Sequence, residues 1–231
     1  GTDFFNFALG AYAMVAALAT TYLVRVAGLG LWLAVAVSVV IAVALGVVTE
    51  VGLVRVVQKR AAHEELPALI AVAALLFLIS QVSGDVFGRA PAPGQKLVTG
   101  APMVVFGAIL TPTAALIIAL TAACFVAVTL WMKFSNVGRL LRAVGDNREA
   151  AQTLGFPVNR VRLFAFVIGT IIASFAGLVF ASKSGVAFDS ALDWTLLGFL
   201  ALVFGGTGRV WAPLVGGLIL GILQMFLPYY F

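Results

Sequence analysis

Seven apolar runs, separated by short charged or Gly- and Pro-rich stretches, set the plan of the chain. The first, 4–24, is 21 residues without a charge, enough to cross a hydrocarbon layer of about 30 Å at about 1.5 Å per residue. Within it Asn6 either caps the helix or faces a polar interior, and Tyr12 offers a second polar group. A turn at Arg25, Gly28 and Gly30 leads to the second run, 31–49, and the third covers 66–84. Between those two, Glu50, Arg55, Lys59, Arg60, His63, Glu64 and Glu65 mark 50–65 as a short connection outside the membrane. Apolar sequence then resumes at Leu97 and continues to Met132, about 54 Å if helical and too long for one crossing. Thr111 at a cap position and Pro112 at a first helical position divide it, so the fourth run is 112–132. Upstream, MVVFGAIL sets Gly107 and Ala108 between two β-favouring runs, the pattern of a small hairpin on the outer surface. Asn159 is a candidate cap for the fifth run, 163–182. The sixth, 194–206, has 13 residues and ends in Gly-Gly-Thr-Gly, short for a full crossing. It reads either as an interrupted helix turned toward a transport path or as a slightly short helix closed by a tight turn. The last run, 210–231, carries Pro213 in its first turn and Gly216, Gly217 and Gly221 for close helix packing. The expected fold is an all-α polytopic membrane protein with six or seven transmembrane helices, one of them open to being discontinuous, and a small outer hairpin. One transmembrane domain fills 1–231.

The exception to this pattern is 133–162, a long polar stretch that holds six of the fourteen basic residues. Asp146 followed by Glu149 resembles a capping box. Arg148, Glu149, Ala150, Ala151, Gln152 and Leu154 suit a short helix, Gly155 supplies a left-handed stop, and Pro157 forbids continuation. Ala150, Ala151 and Leu154 then share a shallow apolar face. Such a face fits a groove on another protein, although polytopic proteins also need helical loops with no such duty.

Composition narrows the class. Hydrophobic residues make up 63% and charged residues 10%, against about a quarter charged in soluble domains, so the chain is an integral membrane protein. The net charge of +5 is spread over loops, where it orients helices, rather than gathered into a face for nucleic acid. Placing the loops at 50–65, 133–162 and 207–211 on one side gives ten bases there against four at Arg25, Arg89, Lys96 and Lys183, which makes 133–162 cytoplasmic. Cys124 and His63 stand alone, so neither a disulfide nor a metal or catalytic constellation is expected. The chain is therefore not read as an enzyme. No phosphate-binding G-x-x-x-x-G-K-[ST] run occurs, so energy must come from a partner or a gradient. The runs up to Ser182 carry no Asp, Glu, Lys, Arg or His to couple an ion gradient, which disfavours a secondary transporter or channel.

Four stretches together resemble the membrane permease subunits of ABC importers for branched-chain amino acids and related small polar solutes such as urea and amides. FNFALGAYAM is similar to the family's Asn-Phe-Ala-His-Gly stretch, with Leu9 where histidine is common. LLRAVGDNREAAQTLGFPVNRVRLFAFVIG resembles its cytoplasmic loop, IIASFAGLVFAS the small-residue helix after it, and VFGGTGRVWAPLVGGLILGIL its glycine-rich C-terminal run. The segment TEVGLVRVVQKR points to the smaller of the two permease types, whose members carry a further helix on either side of the part matched here. The resemblance implies a bacterial inner-membrane subunit that pairs with a second permease. Two cytoplasmic ATPase subunits would carry the ATP, and a periplasmic solute-binding protein would deliver solute. It implies ATPase coupling through Arg148, Glu149, Ala150, Ala151, Leu154 and Gly155. It also implies a substrate pathway near Asn6, Tyr12, Gly205 and Gly206, with no cofactor on this chain.

Overall fold

The computed structural model describes residues 7–60, 65–98, 100–105, 108–146, 153–206 and 211–230. Its helices are α1 (Leu9–Arg25), α2 (Leu31–Val48), α3 (Arg55–Arg60), α4 (Glu65–Phe87), α5 (Pro112–Phe134), α6 (Asn136–Asp146), α7 (Val158–Ser184), α8 (Ser190–Gly205) and α9 (Ala212–Tyr230). A π-helical turn, Thr49–Val54, joins α2 to α3, and β1 (Met103–Val105) pairs antiparallel with β2 (Ala108–Leu110). Among the described residues, four helical stretches, 31–57, 69–87, 112–134 and 158–184, are long and apolar enough to cross a membrane, and α1, α8 and most of α9 are shorter apolar helices. The all-α polytopic architecture expected from the apolar runs is therefore the one observed.

The core is built around α1, where every residue from Gly10 to Thr21 is buried. A helix enclosed on all sides must be apolar all round, and this one carries Gly10 and five alanines, so neighbours approach its backbone closely. It packs on α2, α7, α8 and α4. Thr20 and Thr21 lie inside as well, each hydroxyl bonded back to the carbonyl four residues earlier, Ala16 and Ala17. Glycines mark the tightest contacts. A Cβ at Gly177 of α7 would strike the Ala13 carbonyl, and one at Gly46 of α2 would come within 2.6 Å of the Thr170 hydroxyl.

α5 is the opposite case, with no buried residue at all. Its start is as expected, since Thr111 accepts the Ala114 amide at 3.3 Å and Pro112 takes the first helical position. It rests on α6 and α7, with Phe125 stacked on Trp211 at 5.8 Å, and leaves an apolar groove of about 580 Å³ toward Ile168, Ile172 and Phe175. The rest of its surface suits contact with lipid.

Four expectations are corrected. Residues 50–60 are not an irregular connection: the second helix runs on through the π turn and α3 to Arg60, because Glu50 is neutralised within the bundle rather than solvated outside it. The polar stretch after α5 opens with a further helix, α6, whose Leu140, Leu141 and Val144 close on Val158 and Val161 while Arg139 and Arg142 face outward. Asp146 is its last residue, and the short helix expected to follow it falls on 147–152, outside the described residues. Asn159 does not cap α7. The helix begins at Val158 with Pro157 in the cap position, and Asn159 spends its carbonyl on Arg55. Lastly, the sixth run is one unbroken helix of 16 residues that begins at Ser190, upstream of the expected start, because Asp193 lies in its first turn and does not interrupt it.

The two ends of the bundle are chemically distinct. At one, Ala92 and Val186 exchange backbone hydrogen bonds and Gly84 meets the Phe188 ring. At the other, Glu50 joins Arg55 and Arg162. Residues of two of the stretches grouped by charge in the sequence, 50–65 and 133–162, thus meet in space.

Candidate functional site

The position of α1 within the bundle creates the site. Leu9 packs on Gly169, the twelfth of the 27 residues of α7, so α1 starts close to halfway along a helix about 40 Å long. Ala13 meets Gly177 further along, and the two helices therefore rise together from the middle of the bundle. Ala8 caps α1 without a side-chain hydrogen bond, and its carbonyl receives the Tyr12 amide at 3.1 Å. The first turn of α1, the positive end of its dipole, thus lies near the middle of the bundle.

Two adjoining cavities open there, of about 230 and 210 Å³. They share Leu9, Gly10 and Trp194. The larger reaches Ala173, Ala176 and Gly177 of α7, and the smaller reaches Thr195, Gly198 and Phe199 of α8. Gly10 makes the arrangement possible, since a Cβ there would overlap the Thr195 hydroxyl and the Ala191 carbonyl. Thr195 holds the contact from the other side, with its hydroxyl 2.7 Å from the Ala191 carbonyl and 3.1 Å from that of Phe7. Aromatic rings wall the cleft: Trp194 meets Phe180 edge-on at 5.3 Å, and Phe7 lies 5.5 Å from Phe199. Gly198 lines it, and a side chain there would meet nothing within 4 Å. Among the described residues the lining is uncharged, small and aromatic, with hydroxyl and backbone groups as its polar points. That chemistry suits passage of a small solute better than tight capture.

The residues singled out in the sequence fall in different places. Asn6 and the four coupling residues Arg148, Glu149, Ala150 and Ala151 lie outside the described residues. Tyr12 is fully buried, and its hydroxyl faces Thr49 without closing a hydrogen bond of regular geometry. It lines neither cavity. Gly205 and Gly206 close α8, about 15 Å along the helix from Thr195, where Gly205 packs on the Ala212 carbonyl and Gly206 takes φ 91°. They shape the turn into α9, and the structure does not bring them together with Tyr12. Leu154 is 74% exposed and Gly155 has φ 78°, a left-handed residue that follows a bare apolar side chain in the described part of the α6–α7 connection. Gly10, Trp194, Thr195 and Gly198 were missed. The signal available was a glycine in the first apolar run and a threonine beside tryptophan in the sixth, and neither states that the two runs touch.

Together the bundle, the mid-height start of α1 and the uncharged cleft define a membrane permease. The sequence model of the family described as branched-chain amino acid transport system / permease component matches residues 2–231, and the chain belongs to that family. It is therefore an ABC permease component. Among relatives, the probable branched-chain amino acid transport permease protein LivH of Methanocaldococcus jannaschii is 26% identical over 97% of this chain and 72% of its own length. The high-affinity branched-chain amino acid transport system permease protein LivH of Escherichia coli K12 is 33% identical over 52% of this chain and 39% of its own. The ribose import permease protein RbsC of Haemophilus influenzae is 34% identical over 40% of this chain and 31% of its own. The match to the Escherichia coli relative thus spans about two-fifths of that protein's length. No solved structure matches.

Proposed function

We propose that the chain is the membrane-spanning subunit of an ATP-driven importer that moves branched-chain amino acids or related small polar solutes, urea and amides among them, across the bacterial inner membrane. It would sit in the bilayer beside a second permease subunit, above two cytoplasmic ATPase subunits, and receive solute from a periplasmic binding protein. The near full-length match to a branched-chain amino acid permease supports the solute class, while matches to permeases named for ribose and L-arabinose make sugars the competing class. The observation that carries the reading is the start of α1 at mid-height beside an uncharged cleft, since interrupted helices at such a depth present free amides to a passing carboxylate or carbonyl. The α6–α7 connection would dock on an ATPase through the 148–155 segment, and exposed Leu154 held by left-handed Gly155 supports that role. On this reading the end of the bundle with Glu50, Arg55 and Arg162 is cytoplasmic.

The test is reconstitution of the full transporter in liposomes with labelled leucine, urea and ribose. ATP-dependent uptake of leucine or urea is expected, and Gly198→Leu should cut it at least tenfold while the complex still assembles. Uptake that persists in vesicles of this chain without ATP or ATPase subunits would replace the reading with a gradient-driven carrier or channel.

A further inference from the structure

Glu50 is completely buried, and both of its carboxylate oxygens are held by arginines from different places. Oε1 accepts Arg162 Nε at 2.7 Å, and Oε2 lies 2.8 Å from Arg55 Nε. The second contact is an ion pair without hydrogen-bond alignment. The π turn is what makes it possible. Residues five apart on an α-helix point about 140° away from one another, whereas here the Arg55 amide bonds the Glu50 carbonyl, a five-residue step that widens the turn and swings the two side chains toward one face. Arg55 also donates to the Asn159 carbonyl at 3.2 Å. The start of α7 is therefore clamped to the π turn at two points, Asn159 and Arg162.

Those two points lie just after Pro157, at the foot of the connection proposed to meet the ATPase. On the other side of the cluster, Thr49 bonds back to the Leu45 carbonyl and faces the Tyr12 hydroxyl of α1. A path of packed and charged contacts thus runs from the foot of the connection through Glu50 to the helix whose start borders the cleft. We propose that Glu50 is a positioning residue for transport, the rigid joint through which movement of the α6–α7 connection reaches α1. A hydrophobic joint could fill the same space, but it would slide, whereas two guanidinium groups on one carboxylate fix both distance and direction.

This inference rests on the importer reading, and the experiment separates the two. The full transporter, with its ATPases and binding protein, is reconstituted with the wild-type chain, Glu50→Gln, Arg162→Lys and the exchange Glu50→Arg/Arg162→Glu. Solute moved per ATP hydrolysed is measured alongside complex assembly. The expected result is at least a tenfold loss of solute per ATP in Glu50→Gln with the complex intact. Arg162→Lys should show a smaller loss, and the exchange should recover at least a third of the wild-type ratio. If Glu50→Gln fails to assemble, Arg162→Lys decides in its place, with a threefold or greater loss expected. A wild-type ratio in whichever of those two assembles would reduce the cluster to a structural clamp and overturn the proposal. A wild-type chain that moves no solute with ATP would instead remove the importer reading, and the inference with it.

Discussion

The cleft beside α1 and the charge cluster around Glu50 meet opposite demands with opposite chemistry. In the cleft, Gly10, Gly177, Ala13 and Ala191 bring helix backbones together by removing side chains, and the polar groups that remain are a hydroxyl and carbonyls. Around Glu50, three long charged side chains fill the space between helices, and the two guanidinium groups are held there by the one carboxylate they share. Backbone contact is governed by shape, so it tolerates polarity but not volume. Buried charge is the reverse: it tolerates a change of volume but not the loss of a partner. The difference teaches where substitutions should do harm and of what kind.

The largest effect is expected from Glu50→Ala, which leaves two partly buried arginines beside each other without their carboxylate. It should destabilise the folded chain by about 3 to 5 kcal/mol, read from unfolding in mixed detergent micelles, and a loss below about 1 kcal/mol would show the site to be wetter than its burial implies. Gly10→Val comes next. Its side chain collides with the Ala191 carbonyl and Thr195, so α1 must shift, at a cost of about 1 to 3 kcal/mol; unaltered stability together with unaltered uptake would break the close-packing side of the contrast. Thr195→Val keeps the shape but leaves the Phe7 carbonyl without that donor. A loss of about 1 kcal/mol follows, and the same micelle assay compares it with Gly10→Val. The smallest effect belongs to an ion pair at the surface, Asp85 with Arg89 at 3.1 Å, whose side chains are 69% and 64% exposed. Asp85→Ala should change stability by no more than about 0.5 kcal/mol. A cost rivalling that of Glu50→Ala would mean that burial does not separate the two pairs.

Much of the membrane fold was legible because lipid imposes one rule on every span. A backbone that cannot bond water must bond itself, so length and apolarity alone locate helices. Thr111 and Pro112 could be read for the same local reason, since a cap and a first-turn proline act within four residues. The errors came where a charge was taken as a boundary. Glu50 and Asp193 both looked like ends of apolar runs, yet one is paired inside the bundle and the other sits in the first turn of α8. α6 went unseen because its apolar residues form a narrow stripe among charges, and only packing against Val158 and Val161 gives that stripe a use. Of the site, Gly155 was readable from the chain, because a left-handed stop is a local property. Gly10 and Thr195 were not, because 185 residues separate them and nothing in either segment names the other.

The sequence by itself determined that this chain spans a membrane and where most of its helices run, because hydropathy and capping are properties of short segments. It also carried enough of a family pattern to point to a permease. Only the tertiary structure decided that α1 begins halfway along α7, that a cleft opens between α1 and α8, and that Glu50 lies between Arg55 and Arg162. Each of these depends on which helices touch and at what height, and that is settled by the packing of small residues and the pairing of buried charges across more than a hundred residues of chain.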